Sequence, residues 1–292
     1  TLGRVAARFE QLSSLPTLRS ALSESASSIW DVAKAASFSR SPYANAAYAA
    51  SRGEYLNAMV VAHELGYDFV DPADECIIFE SDRATLDLER TIAALRRRVA
   101  CAGTDGGYVL GGFFGGVRGS NKPADVATFS RGGSDVTASL VAAAIAEEIG
   151  GGEGGEMSEC HGVVHENFTD VDGVWSADPR LCAKAYRLPR LGYEQTRLLA
   201  LAGANVLHPD AIAPLVRLKV PIHVRSTWQP RGHGTWIGKE GDVFVPTEVR
   251  RDRAEIGLAA EIAPRSRRDD LSVAGGRRCR PRPLGAARGG GG

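Results

Sequence analysis

The chain has 292 residues, 43% of them hydrophobic and 24% charged, enough for one large domain or two small ones built on a sizeable core. Lys plus Arg and Asp plus Glu both number 35, so a net charge of zero offers no general attraction for nucleic acid or acidic membranes. No apolar run reaches the roughly 18–20 residues of a membrane span, and the five cysteines are scattered without a CxxC pair, which points away from a disulfide framework and towards a reducing compartment.

Residues 1 to about 45, rich in Ala and Ser, read as helix and loop. In "SRGEYLNAMVVAHELGYDFVD", Ser51 is a good N-cap and Glu54 stands at capping-box spacing. Leu56, Met59, Val60, Ala62 and His63 follow with helical periodicity to a stop at Gly66, and "YDFVD" reads as a short strand. "LDLERTIAALRRRVA" is an amphipathic helix with Leu86, Leu88, Ile92, Leu95 and Val99 on its apolar side. "YVLGGFFGG" reads as a strand breaking into a glycine loop, and "TFSRGGSDVTAS" opens a helix from about Ser134 to Glu148.

The run "GGGEGGE" predicts a flexible insertion at about 150–160. "GVVHENF" resumes as a strand leading into "TDVDGVWSADPR". Helices follow at Tyr193 to Ala202 and Pro209 to Leu218, then strands at "VPIHVRSTW" and "GTWIG". Alternating strands and helices predict an α/β fold, an open and mainly parallel sheet sandwiched between helices. The domain is expected to run over residues 1–246. Residues 247–292, rich in Arg, Gly and Pro, are expected to be disordered; from Val249 onward eleven Arg face five acidic residues, yet no aromatic interleaving suggests nucleic-acid binding.

Three stretches carry chemistry. In "SRGGSD", Gly132 and Gly133 let the backbone approach a ligand, and the free amides of the following helix attract phosphate or carboxylate. Arg131 adds a planar fork suited to a carboxylate; the plainer alternative is that Ser134 or Asp135 merely caps the helix. "TDVDGVWSADPR" follows a strand, where open parallel sheets bind ligands. There Thr169 and Asp170 can bond a ribose or base, Trp175 can lie against an adenine ring and Arg180 can meet phosphate, although "DVDG" and "ADP" are also ordinary turn formers. Glu54 either caps Ser51 or receives a substrate ammonium group.

Other signals are weaker. Asp170 and Asp172 imitate a calcium loop without its later Glu, and Cys160, His161 and His165 have no spaced fourth ligand, so no protein-held metal is expected. His208 precedes Pro209 at a helix start and reads as structural. There is no GxxxxGK[ST] loop and no HRD with DFG set.

Taken together, "SRGEYLNA", "FFGG…TFSRGGSDVTAS", "ENFTDVDGVWSADPR", "AGANVLHPDAI" and "VPIHVRSTWQPRGHGTWIG" resemble the catalytic domain of aspartate kinases, from about Ser51 to Gly238. The resemblance implies the amino-acid kinase fold and transfer of the γ-phosphoryl group of MgATP to the β-carboxylate of L-aspartate, giving 4-phospho-L-aspartate, the first step toward lysine, threonine and methionine. It implies that Glu54 meets the aspartate ammonium group and Arg131 its carboxylate. Gly132, Gly133, Ser134 and Asp135 then lie beneath the transferred phosphoryl group, with Arg131 and Asp135 as the catalytic pair. Thr169, Asp170, Val171, Trp175, Arg180 and Asn205 are expected to hold ATP, and Mg²⁺ to be held mainly through the ATP phosphates.

The chain departs from the family in three ways. No Lys-Phe-Gly-Gly motif is present, so the chain is expected to begin inside the domain. Asn205 stands where the family has Lys, and Trp175 where Tyr is common. Nothing after Pro246 resembles the ACT domains through which the family usually dimerises, so a homo-oligomer would need another interface. The alternatives are a non-catalytic nucleotide-binding remnant, or another amino-acid kinase such as glutamate 5-kinase. The expected partners are L-aspartate and ATP, with no nucleic acid and no membrane. The expected location is the cytoplasm, or the plastid stroma for a photosynthetic eukaryote.

Overall fold

The computed structural model describes residues 42–81, 85–100, 107–120, 125–130, 132–150, 162–203 and 207–239, with short helical pieces between 19 and 31. The tail 247–292, most of the glycine-rich run at 150–160, Arg131, Asn205, Cys160 and His161 lie outside the described residues. Among the described residues no helix is long and apolar enough to cross a membrane.

Helix α1 spans Pro42–Leu65 and corrects the expected start at Ser51. Ser51 lies in mid-helix, fully buried, and its hydroxyl donates to the Tyr48 carbonyl at 2.7 Å. A serine that bonds back along its own helix has no need of a cap position, so Glu54 closes no capping box and is exposed on the helix surface. Arg52 is buried beside it, its guanidinium 4.5 Å from the Tyr48 ring centroid and 4.3 Å from that of Tyr55. Burial pushes the Tyr55 hydroxyl up to about 12.

Strand β1 (Asp68–Val70) leads through the short α2 (Pro72–Glu75) to β2 (Ile78–Phe79) and α3 (Leu88–Ala100). Asp87 accepts the Arg90 amide at 3.1 Å at the head of α3, and Thr91, fully buried, accepts the Ile78 amide and so ties α3 to β2. Leu88 is half exposed, against expectation, because the apolar face of α3 starts one turn later; Leu86 pairs with Phe79 ahead of the helix.

Strands β3 (Tyr108–Leu110), β4 (Phe114–Val117) and β5 (Val126–Thr128) follow. Gly111 and Gly112 form the expected loop after β3, but Gly115 and Gly116 belong to strand β4. Gly115 and Gly116 are needed there because a Cβ would sit 2.4 Å from the Ile77 carbonyl oxygen and 2.1 Å from that of Ala73. Helix α4 (Gly133–Gly150) packs along both α3 and α6, which explains a helix buried all round its middle at Leu140 to Ile145. Strands β6 (His165–Thr169) and β7 (Arg190–Gly192), helices α5 (Tyr193–Leu201) and α6 (Pro209–Leu218), and strands β8 (Ile222–Ser226) and β9 (Thr235–Gly238) complete the order.

The ladders are β1-β3, β2-β4-β5 and β6-β8-β9-β7. The pairings β1-β3, β2-β4, β6-β8 and β7-β9 are parallel; β4-β5 and β8-β9 are antiparallel. The fold is thus α/β with mainly parallel strands. One core joins Val70, Phe79, Leu95, Leu140, Leu215, Ile222 and Ile237; a second lies under α1 around Tyr55, Leu56, Phe114 and Val126.

Candidate active site

The glycine loop after β3 is the meeting point of three segments. A Cβ on Gly111 would lie 3.4 Å from the backbone carbonyl of Glu54, and one on Gly112 would lie 2.8 Å from the Ser134 hydroxyl. Gly133 is closed in by Phe113 and Phe129: a Cβ on it would lie 2.9 and 2.5 Å from their Cβ atoms. Phe113 has a positive φ of 64°, held by its amide donating to Thr137 Oγ1 at 3.2 Å and its carbonyl accepting from Phe129 at 2.9 Å. The Thr137 hydroxyl in turn donates to the Gly133 carbonyl at 2.9 Å. The Glu54 backbone and the first turn of α4 therefore meet the glycine loop at one rim, beside the start of a long helix whose first amides have no partner within the helix.

Asp135 does not act as a simple cap. Its Oδ2 accepts the His208 amide at 3.3 Å, linking α4 to the start of α6. Burial raises its pKa, and the His208 amide and side chain act the other way. His208 is structural, as expected: its Nδ1 accepts the Asp210 amide at 3.4 Å as the N-cap of α6. A cavity of about 980 Å³, lined by Leu86, Ile92, Phe129, Leu140, Pro214 and His208 among others, adjoins the same turn of α4.

The second group sits at the C-terminal end of β6. The Thr169 carbonyl accepts both the amide and the hydroxyl of Thr227, at 2.8 and 3.1 Å, and its own hydroxyl donates to Asp170. Asp170 and Val171 are exposed at this edge. The Trp175 indole N–H donates to Asp172 at 2.8 Å, which fixes a half-buried ring. Arg180 is exposed and forked onto Asp178, 2.9 Å from Nη2 to Oδ2, and this pairing lowers the Asp178 pKa and raises that of Arg180. A phosphate reaching Arg180 must compete with that carboxylate.

Below this edge the sheet is braced. Glu166 Oε1 accepts from Arg225 at 2.6 Å and lies 3.3 Å from His223 Nδ1; these partners, His223 first, hold its carboxyl below the usual range. Arg225 also donates to the Pro230 carbonyl, and the His223 ring stacks on Trp236 at 3.8 Å. His165 is buried and neutral, its pKa pushed down to about 4 by desolvation.

The structure thus sets Gly132, Gly133, Ser134 and Asp135 in one turn beside the glycine loop that the Glu54 backbone also borders, and places Thr169, Asp170, Val171, Trp175 and Arg180 at the end of β6 and in the loop after it. Sequence reasoning missed Gly111, Gly112, Thr137, Thr227 and Thr235. Only the two glycines carried a local signal; the threonines act through long-range bonds that no short motif announces. Among the described residues no cluster of three or more His, Cys, Asp or Glu could hold a metal.

Residues 164–226, from just before β6 to the end of β8, match the model of the amino acid kinase family. The chain is similar to part of several aspartokinases. It is 29% identical over 199 residues to aspartokinase 3 of Bacillus subtilis strain 168, covering 65% of this chain and 38% of that protein. The aspartate kinase of Clostridium acetobutylicum superposes with a TM-score of 0.57 at 31% identity, over 76% of this chain and 43% of the other. Aspartokinase III of E. coli, crystallised with lysine and aspartate, gives 0.64 at 25% identity, over 78% and 48%. The chain spans less than half the length of each of these relatives.

Proposed function

We propose that the chain is the catalytic part of an aspartate kinase, moving the γ-phosphoryl group of MgATP to the β-carboxylate of L-aspartate. The observation that carries this reading is the convergence of Glu54, the Gly111–Gly112 loop and the first turn of α4 on one rim, in a chain whose relatives are aspartokinases. Glu54 is exposed, with its backbone at that rim, and a carboxylate is suited to an ammonium group. The free amides of α4 face an anion, and Arg131, in sequence between Ser130 and Gly132, supplies the cation for the substrate carboxylate.

The chemistry asks for little proton transfer. A carboxylate of pKa near 4 is already ionised at pH 7. Its oxygen attacks the γ-phosphorus, the bond to the β,γ-bridging oxygen breaks, and ADP leaves with that electron pair. What opposes the step is the approach of two anions, so rate comes from position and positive charge. On this reading Mg²⁺ arrives with the ATP phosphates. Thr169, Asp170, Val171, Trp175, Arg180 and Asn205 hold the nucleotide, with Trp175 presenting an indole fixed by Asp172.

The reading is tested by ADP release from MgATP with L-aspartate, L-glutamate or a nucleoside monophosphate as acceptor. Release with aspartate, lost in Arg131→Ala, is expected. Release with glutamate alone would move the chain to another amino-acid kinase, and no release from a folded chain that still binds ADP would identify a nucleotide-binding remnant.

A further inference from the structure

His208 lies on the nucleotide side of the fold in sequence, directly after the stretch that contains Asn205. Yet its contacts are with the acceptor side. Gly132 adopts a φ of +79°, and a Cβ there would lie 2.5 Å from both Cγ and Cδ2 of the His208 ring. The Gly132 backbone therefore lies close against the imidazole. The His208 amide donates to Asp135 Oδ2 at 3.3 Å, so the same residue touches both flanks of the α4 entry. The ring is not free to turn away, because Nδ1 accepts the Asp210 amide as the cap of α6, and α6 packs along α4.

We propose that His208 is a positioning residue that sets the acceptor loop: its ring is the backstop that fixes the Gly132 peptide relative to α4. This rests on the aspartate-kinase reading for its kinetic consequence, but the contact itself does not. It also explains a ring at this position where a simple cap needs only a short polar side chain, since Asn or Ser caps a helix as well as His does.

Two variants separate the ring from the cap. His208→Asn keeps a side-chain acceptor for the Asp210 amide, so the melting temperature should stay within a few degrees of wild type. The KM for aspartate should rise about tenfold or more, with the KM for ATP changed less than about twofold, because a loosened loop misplaces the acceptor. An unchanged aspartate KM, or equal rises in both, would overturn the proposal. The second test is a double-mutant cycle of Gly132→Ala and His208→Ala read by thermal unfolding. The left-handed strain of alanine at position 132 is common to both backgrounds and cancels. Gly132→Ala should lower the melting temperature markedly with His208 present and clearly less with alanine at 208; additive effects would overturn the contact. Wild-type protein without aspartate-dependent turnover would fail the kinase reading alone, and the melting cycle would still decide whether the ring sets the loop.

Discussion

Replacing Gly112 by alanine probes the joint between the glycine loop and α4. The added Cβ would lie 2.8 Å from Ser134 Oγ and 2.9 Å from its Cα and Cβ, about 0.5 Å inside the 3.4 Å at which ordinary contact begins. The hydroxyl can rotate aside, but the Cα belongs to the first turn of α4 and cannot, so loop and helix must part. Overpacking of this kind costs about 1–3 kcal/mol, which for a domain of this size lowers the melting temperature by about 3–10 °C. A displacement of about half an ångström at a reacting centre should lower kcat/KM for aspartate roughly tenfold, given about a hundredfold per ångström. Gly53→Ala is the control: nothing lies within 4 Å of its would-be Cβ, and it sits inside α1. That change should raise stability by about 0.5–1 kcal/mol through helix propensity. Differential scanning calorimetry of both variants, with turnover measured beside it, decides the matter. A Gly112→Ala protein that melts with wild type and turns over equally would refute the close packing of loop on helix.

Thr235→Val should cost about 2–4 kcal/mol, because the fully buried hydroxyl accepts the Val174 amide at 2.8 Å and donates to the Leu188 carbonyl at 2.7 Å, and both would be left unpaired. Urea unfolding measures that loss, and ADP titration should show weaker binding, since the same bonds anchor the loop carrying Trp175 and Arg180. His165 predicts acid lability. Its pKa falls from 6.5 to about 4 on folding, so its contribution is fully present above 6.5 and is lost as pH falls toward 4. Between pH 7 and pH 5 that amounts to on the order of 2 kcal/mol; His165→Leu should shrink the difference in urea midpoint between the two pH values. Lys219, the C-cap of α6, sits at a left-handed φ of 53°, so Lys219→Gly should leave stability unchanged or raise it by up to about 1 kcal/mol, read from the same urea curves.

How much was legible in the sequence varied with how local the cause was. Helix α6 could be read to the residue, because Pro209 opens it and its apolar positions repeat regularly. Strand β6 was expected over 162–168 and forms at His165–Thr169, and the loop that follows it to Arg180 was legible from its turn formers. The start of α1 was misread because Ser51 and Glu54 fit a capping box by spacing alone, while nothing local says that Ser51 is buried and bonded back to Tyr48. Strand β4 was hidden by its glycines, whose purpose appears only when the carbonyls of Ala73 and Ile77 are beside them. The site divides the same way. Glu54 and the glycines of "SRGGSD" stand out by residue type, whereas the bond from His208 to Asp135 spans 73 positions and has no sequence signature.

The most direct measurement is of product. The purified chain is incubated with MgATP, L-aspartate and hydroxylamine, which converts an acyl phosphate to a stable hydroxamate. The account predicts aspartyl hydroxamate that requires both substrates and is abolished in Arg131→Ala and strongly reduced in Glu54→Gln. A folded chain that yields no hydroxamate, or yields it equally with either substitution, would contradict the assignment of these residues to an aspartate kinase site.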